Sequence, residues 1–161
     1  MKTSLIIKRT LFYCLSFTWG IIMSLIGLIA VTSIGLFKGF HTYHGRLFTS
    51  IGKNWGGVSL GCFFICSEDC VNNEHLKAHE SGHGLQSIVF GPLFPFVVAI
   101  PSMIRYWYRE LKYSRKGKVA PTKYDDIWFE GQATRLGMSI ACKILKEETK
   151  WLVLFAVKKR K

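Results

Sequence analysis

The chain has 161 residues, enough for one compact domain and too few for two with a linker between them. Hydrophobic residues make up 49% of it and charged residues only 20%, with a mean hydropathy of +0.21, so it leans toward lipid. Twelve Phe, five Trp and six Tyr exclude disorder, five Cys exclude a disulfide scaffold, and a net charge of +12 calls for either nucleic acid or anionic lipid.

No charged residue occurs from Leu11 to Phe37. As a helix this run covers about 40 Å, against a hydrocarbon core of about 30 Å. Lys8 and Arg9 close one end, and Lys38 with Arg46 closes the other. A signal peptide would have an apolar core about half as long, followed by small residues, and Phe37-Lys38-Gly39-Phe40-His41 is a poor cleavage site. The expectation is an uncleaved N-terminal transmembrane anchor over residues 1–38 and a second unit over 39–161. The flanking charge is too even to orient the anchor. His41 and His44 are expected in an interfacial loop.

Residues 55–65, Trp55-Gly56-Gly57-Val58-Ser59-Leu60-Gly61-Cys62-Phe63-Phe64-Ile65, have the character of a strand or short β-hairpin. A free edge here could pair with an extended peptide. Cys62, Cys66 and Cys70 recur every four residues, a weak spacing for structural zinc. Buried thiols are the expected identity of Cys62 and Cys66.

His79-Glu80-Ser81-Gly82-His83 is an H-E-x-x-H match. Residues four apart share a helix face, so both imidazoles can reach one Zn²⁺ while the Glu between them reaches its water. The surroundings read as a helix of about seventeen residues, N-capped by Asn72 or Asn73 and stopped by Gly91-Pro92. Gly82 and Gly84 each cost such a helix about 1 kcal/mol relative to Ala. They make sense where another backbone comes close. A catalytic zinc needs a third protein ligand. The candidates are His75, His41, His44, the cysteines and a later carboxylate among Asp125, Asp126, Glu130, Glu147 and Glu148.

The second apolar stretch, Ile88 to Trp107, is interrupted by Pro92, Pro95 and Pro101. It reads as a kinked membrane element or a buried hairpin. A single crossing would put Glu130 on the far side from His79 and His83, so re-entry or a buried bend is expected if Glu130 is a ligand. Beyond it, Arg105, Arg109, Lys112, Arg115, Lys116 and Lys118 alternate with Tyr106, Trp107, Tyr108 and Tyr113. Next to lipid-type sequence, this mixture describes a membrane interface rather than a nucleic-acid surface. From Asp126 onward, Leu136, Ile140, Ile144 and Leu145 have helical spacing, which places Glu130 in the first turns of a second helix. Packed against the first helix, Glu130 would complete a His, His, Glu site. Lys158 to Lys161 read as a solvated tail.

Taken together, these pieces resemble the gluzincin type of zinc metallopeptidase, in which a second helix follows H-E-x-x-H and supplies a Glu. More narrowly, the chain is similar to a family of small bacterial membrane proteins. The similarity rests on Gly61-Cys62-Phe63-Phe64-Ile65, His79 to His83 with Gln86, Gly91-Pro92-Leu93, Pro101-Ser102 and Trp128-Phe129-Glu130-Gly131-Gln132-Ala133-Thr134-Arg135-Leu136-Gly137. It covers roughly residues 55–137. The resemblance implies an α-rich α+β fold with a zincin-like pair of metal-binding helices, located in the bacterial inner membrane. It implies zinc on His79, His83 and Glu130, with Glu80 as general base in peptide hydrolysis. Tyr106, Tyr108, Tyr124 and Arg135 are candidates for an oxyanion donor. One departure is Thr134, where the family often carries an acid suited to orienting a zinc-bound His. The alternative is a catalytically silent zincin-like module that serves membrane interactions.

Overall fold

A computed structural model describes residues 2–140 and 143. The expected continuations at Ile144, Leu145, Glu147, Glu148 and 158–161 lie outside the described residues.

The uncharged run is not one rod. It divides at Trp19-Gly20 into α1 (Lys2–Thr18) and α2 (Ile21–Lys38). Of the described helices, α2 is the one long and apolar enough by itself to cross a membrane. Its buried residues, Met23, Ser24, Gly27, Val31 and Gly35, form one stripe, while the remaining faces stay apolar and exposed.

That stripe lies against a four-stranded sheet: β1 (His41–Tyr43), β2 (Arg46–Ser50), β3 (Gly57–Leu60) and β4 (Phe63–Cys66), in the order β1-β2-β4-β3. The expected single hairpin is therefore one of two. β1 and β2 pair antiparallel, as do β3 and β4, and β2 runs parallel to β4. His41 and His44 belong to the first hairpin, His41 in β1 and His44 in its turn. All four residues of β4 are buried because helices cover both faces of the sheet. Phe63 and Ile65 meet Val31 of α2, whereas Phe64 stacks on Phe48 at 4.4 Å on the opposite side.

On that opposite side lies α3 (Glu74–Phe90), seventeen residues long, with the Asn73 carboxamide accepting from the Leu76 N–H at 3.1 Å. Gly91 terminates it at φ 52°. A 3₁₀ turn (Gly91–Leu93) and a π-helical turn (Pro95–Ala99) follow, and then α4 (Ile100–Lys112). The two arms of this elbow, Glu74–Leu93 and Pro95–Lys116, are bent by 118°. Each proline lacks a backbone donor and clashes with the preceding turn, so the break falls where they cluster. Phe94 and Val98 fill the inside of the elbow against Met23 of α2 and Phe129. The chain thus turns back, and α5 (128–140) returns to α3.

Candidate metal centre

Gly82 and Gly137 determine how α3 and α5 meet. A Cβ on Gly82 would stand 1.9 Å from the Ala133 carbonyl oxygen, and one on Gly137 would stand 1.7 Å from that of Ala78. The helices cross backbone to backbone, as the costly glycine beside the histidines foretold. Gly84 makes room for something else. The Arg46 guanidinium fills the space a Cβ would need, with the nearest nitrogen 2.5 Å away.

This close crossing brings Glu130, in the first turn of α5, beneath the two imidazoles. Glu130 Oε2 is 3.1 Å from His79 Nε2 and 3.1 Å from His83 Nε2, and the two nitrogens are 3.1 Å apart. Donors about 2.0–2.1 Å from a tetrahedral zinc lie roughly 3.3 Å from one another, so the triangle fits such an ion. All three side chains are buried.

The outward ring nitrogens are also held. His83 Nδ1 is 2.8 Å from Gln86 Oε1. The same carboxamide donates its Nε2 to the Phe129 carbonyl at 2.8 Å and to Gln132 Oε1 at 2.9 Å, so its oxygen must face the ring. His83 Nδ1 therefore carries a hydrogen, which in the neutral ring leaves an unprotonated Nε2 facing the centre. His79 Nδ1 is 2.7 Å from Thr134 Oγ1. The hydroxyl occupies the place an acid would take and can accept the Nδ1 hydrogen. With both rings in that neutral tautomer three lone pairs converge, an arrangement that a cation relieves, whereas without a cation a proton on a ring nitrogen bridges to the Glu130 carboxylate.

Glu130 Oε1 accepts from Ser102 on α4, whose hydroxyl is 3.4 Å from that of Tyr124. Burial alone would raise the Glu130 carboxyl, but hydrogen bonds from His79 and His83 hold it well below the usual carboxylate range. Tyr124 is pushed up by burial and by the neighbouring Glu130 carboxylate, so it remains a phenol. Of the expected oxyanion donors, Tyr124 is the one brought to the centre. Tyr106 and Tyr108 lie along α4, Tyr108 against Lys112, and Arg135 is exposed on α5.

Glu80 is 3% exposed, and its Oε2 has no hydrogen-bond partner among the described residues. Burial raises its carboxyl pKa, against the pull of His79 and His83. A buried carboxylate oxygen without a partner costs stability. Gly57, the first residue of edge strand β3, lies directly over it, since a Cβ there would be 2.8 Å from Glu80 Oε1.

The other expected ligands stay away. His75 is exposed, His41 stacks on Phe48, and Cys62 and Cys66 are buried free thiols outside the cluster. Among the described residues, His79, His83 and Glu130 are the one group able to hold a metal ion.

Three contributors were not assigned roles from sequence. Gln86 and Ser102 stood inside quoted motifs, and their position i+3 from His83 or beside a proline was the available signal. Arg46 offered none. It reads as a flanking charge at the end of an apolar run, yet it is buried. It donates to the carbonyls of Gly61 (2.8 Å), Glu80 (3.0 Å), Cys62 (3.2 Å) and Phe63 (3.3 Å). Burial pulls it down to about 10, still far above neutrality, so the cation persists. It ties the β3–β4 turn to the backbone of the Glu80 turn.

No family model matches the sequence, and neither a curated protein nor a solved structure matches it significantly.

Proposed function

We propose that the chain is a membrane-associated zinc-dependent peptidase of gluzincin type. The observation that carries this reading is the equilateral 3.1 Å triangle of two imidazole nitrogens and one carboxylate oxygen, with a buried Glu80 beside it whose Oε2 has no partner among the described residues. A divalent ion such as zinc, held by His79, His83 and Glu130, would supply Lewis acidity and an acidified water. Glu80 has the roles of accepting that water's proton and passing it to the leaving amine, for which a raised pKa suits it. Tyr124, kept protonated, offers a hydrogen bond to the developing oxyanion. Edge strand β3 supplies the substrate grip. Val58 pairs toward β4, so Gly57 and Ser59 turn their N–H and C=O groups to the outer edge, where an extended peptide can add as a strand.

Metal analysis of the detergent-purified protein, combined with cleavage of a quenched-fluorescent library of extended peptides, tests this reading. Wild type is expected to hold one zinc and to cleave. Glu130→Ala loses both properties, whereas Glu80→Gln keeps zinc and loses cleavage. An unaltered zinc content in a His79→Ala, His83→Ala double variant overturns the assignment.

The alternative, a catalytically silent interaction module, draws on the Thr134 hydroxyl in place of an acid. It predicts bound zinc with no turnover of any peptide.

A further inference from the structure

Helix α4 separates its charge from its apolar side along its whole length. On the inner side, Arg105 donates to the carbonyls of Lys123 (2.9 Å) and Tyr124 (3.1 Å), and Arg109 donates to that of Thr122 (2.8 Å). These bonds fasten α4 to the segment that leads into α5. On the outer side, Ile100, Met103, Ile104, Trp107 and Leu111 recur at steps of three and four and stand 40–61% exposed. A stripe of this kind on a surface helix needs a partner.

The partner is not a second protein wall of the same fold, because the elbow places this face outside the core that Phe94 and Val98 fill. Nor is α4 suited to cross a bilayer. Its thirteen residues make about 20 Å, and although the turns flanking it lengthen the arm to Pro95–Lys116, Arg105, Arg109, Glu110, Lys112, Arg115 and Lys116 all lie within that arm. The stripe continues at the elbow through Phe96, 69% exposed, and Leu93, 61% exposed. There it meets Trp19, at the turn between α1 and α2, whose indole packs over Gly91. Past the C-terminal end of the stripe stand Lys112, Arg115, Lys116 and Lys118. Apolar residues on one flank, arginines on the other and a cationic end together describe an interfacial helix.

We propose that α4 lies in the plane of an anionic membrane surface, with its stripe at the acyl boundary and Lys112, Arg115, Lys116 and Lys118 on the headgroups. The proposal is independent of the hydrolytic reading. Its consequence for the site is one of position, because Ser102 on this helix holds Glu130.

The test places a fluorescent non-natural amino acid singly at 100, 104, 107 or 111 in the full chain. Each variant is reconstituted in nanodiscs containing lipids brominated at shallow, middle or deep acyl positions. All four sites are expected to quench most strongly with the shallow bromines and to report one common depth. With phosphatidylglycerol present, quenching at 111 exceeds that in pure phosphatidylcholine. That difference disappears when the four cations are changed together to Gln. A depth that increases steadily from 100 to 111, or no quenching by any brominated lipid, overturns the proposal. Equal quenching at 111 in both lipids overturns its anionic part.

Discussion

Thr134 and Gln86 each hold an outer ring nitrogen, and in doing so they fix which face of each imidazole is presented to the centre. Groups in this position typically alter metal affinity about 10–100-fold. Thr134→Val removes the acceptor and is expected to weaken zinc binding by a factor in that range, as read by competition with a chromophoric chelator. Thr134→Asp, which supplies a charged acceptor at the same position, is expected to tighten it. Identical affinities for wild type and both variants would show that the hydroxyl has no orienting role. At this scale the sequence was informative. Two rings four residues apart must share a helix face, and the scarcity of acids left few partners for them. Gln86, Ser102 and above all Arg46 were less legible, because what they hold belongs to other elements.

Among the elements, the crossing of α3 and α5 sets where Glu130 stands relative to the two rings. The carbonyls of Ala133 and Ala78 occupy the space where side chains on Gly82 and Gly137 would stand. Gly82→Ala or Gly137→Ala must therefore push the helices apart, at a cost of about 1–3 kcal/mol for an overpacked contact. Separation carries Glu130 away from the rings. Both variants are expected to melt at a lower temperature and to lose zinc, although every ligand remains. A variant that keeps its full zinc content would refute the coupling. Helix α3 and its caps were legible from Asn73 and Gly91-Pro92, as was the helix bearing Glu130. The first hairpin was not. Its strands are three and five residues long and carry His, Thr and Arg, so no alternation marks them. The division at Trp19-Gly20 was equally hidden, since periodicity and charge run through it unchanged.

At the scale of the whole molecule, apolar surface is distributed over the outer faces of α1, α2 and the elbow. Composition foretold the abundance of apolar surface but not how the apolar segments divide it. The sequence suggests an anchor ending at Lys38 and a separate domain after it. In the fold, α2 forms one wall of the sheet: a Cβ on Gly27 would be 2.3 Å from the Leu60 carbonyl oxygen, and Val31 seals Phe63 and Ile65. The same strands carry Gly57 over Glu80. A fragment beginning at residue 39 would thus lose the wall that covers its sheet. Such a fragment is expected to aggregate on purification or to expose dye-binding surface without a cooperative melt, whereas a monodisperse, cooperatively melting fragment would contradict this. Proteolytic shedding of the first two helices, a common way to release an ectodomain from its stalk, would here act as an off-switch.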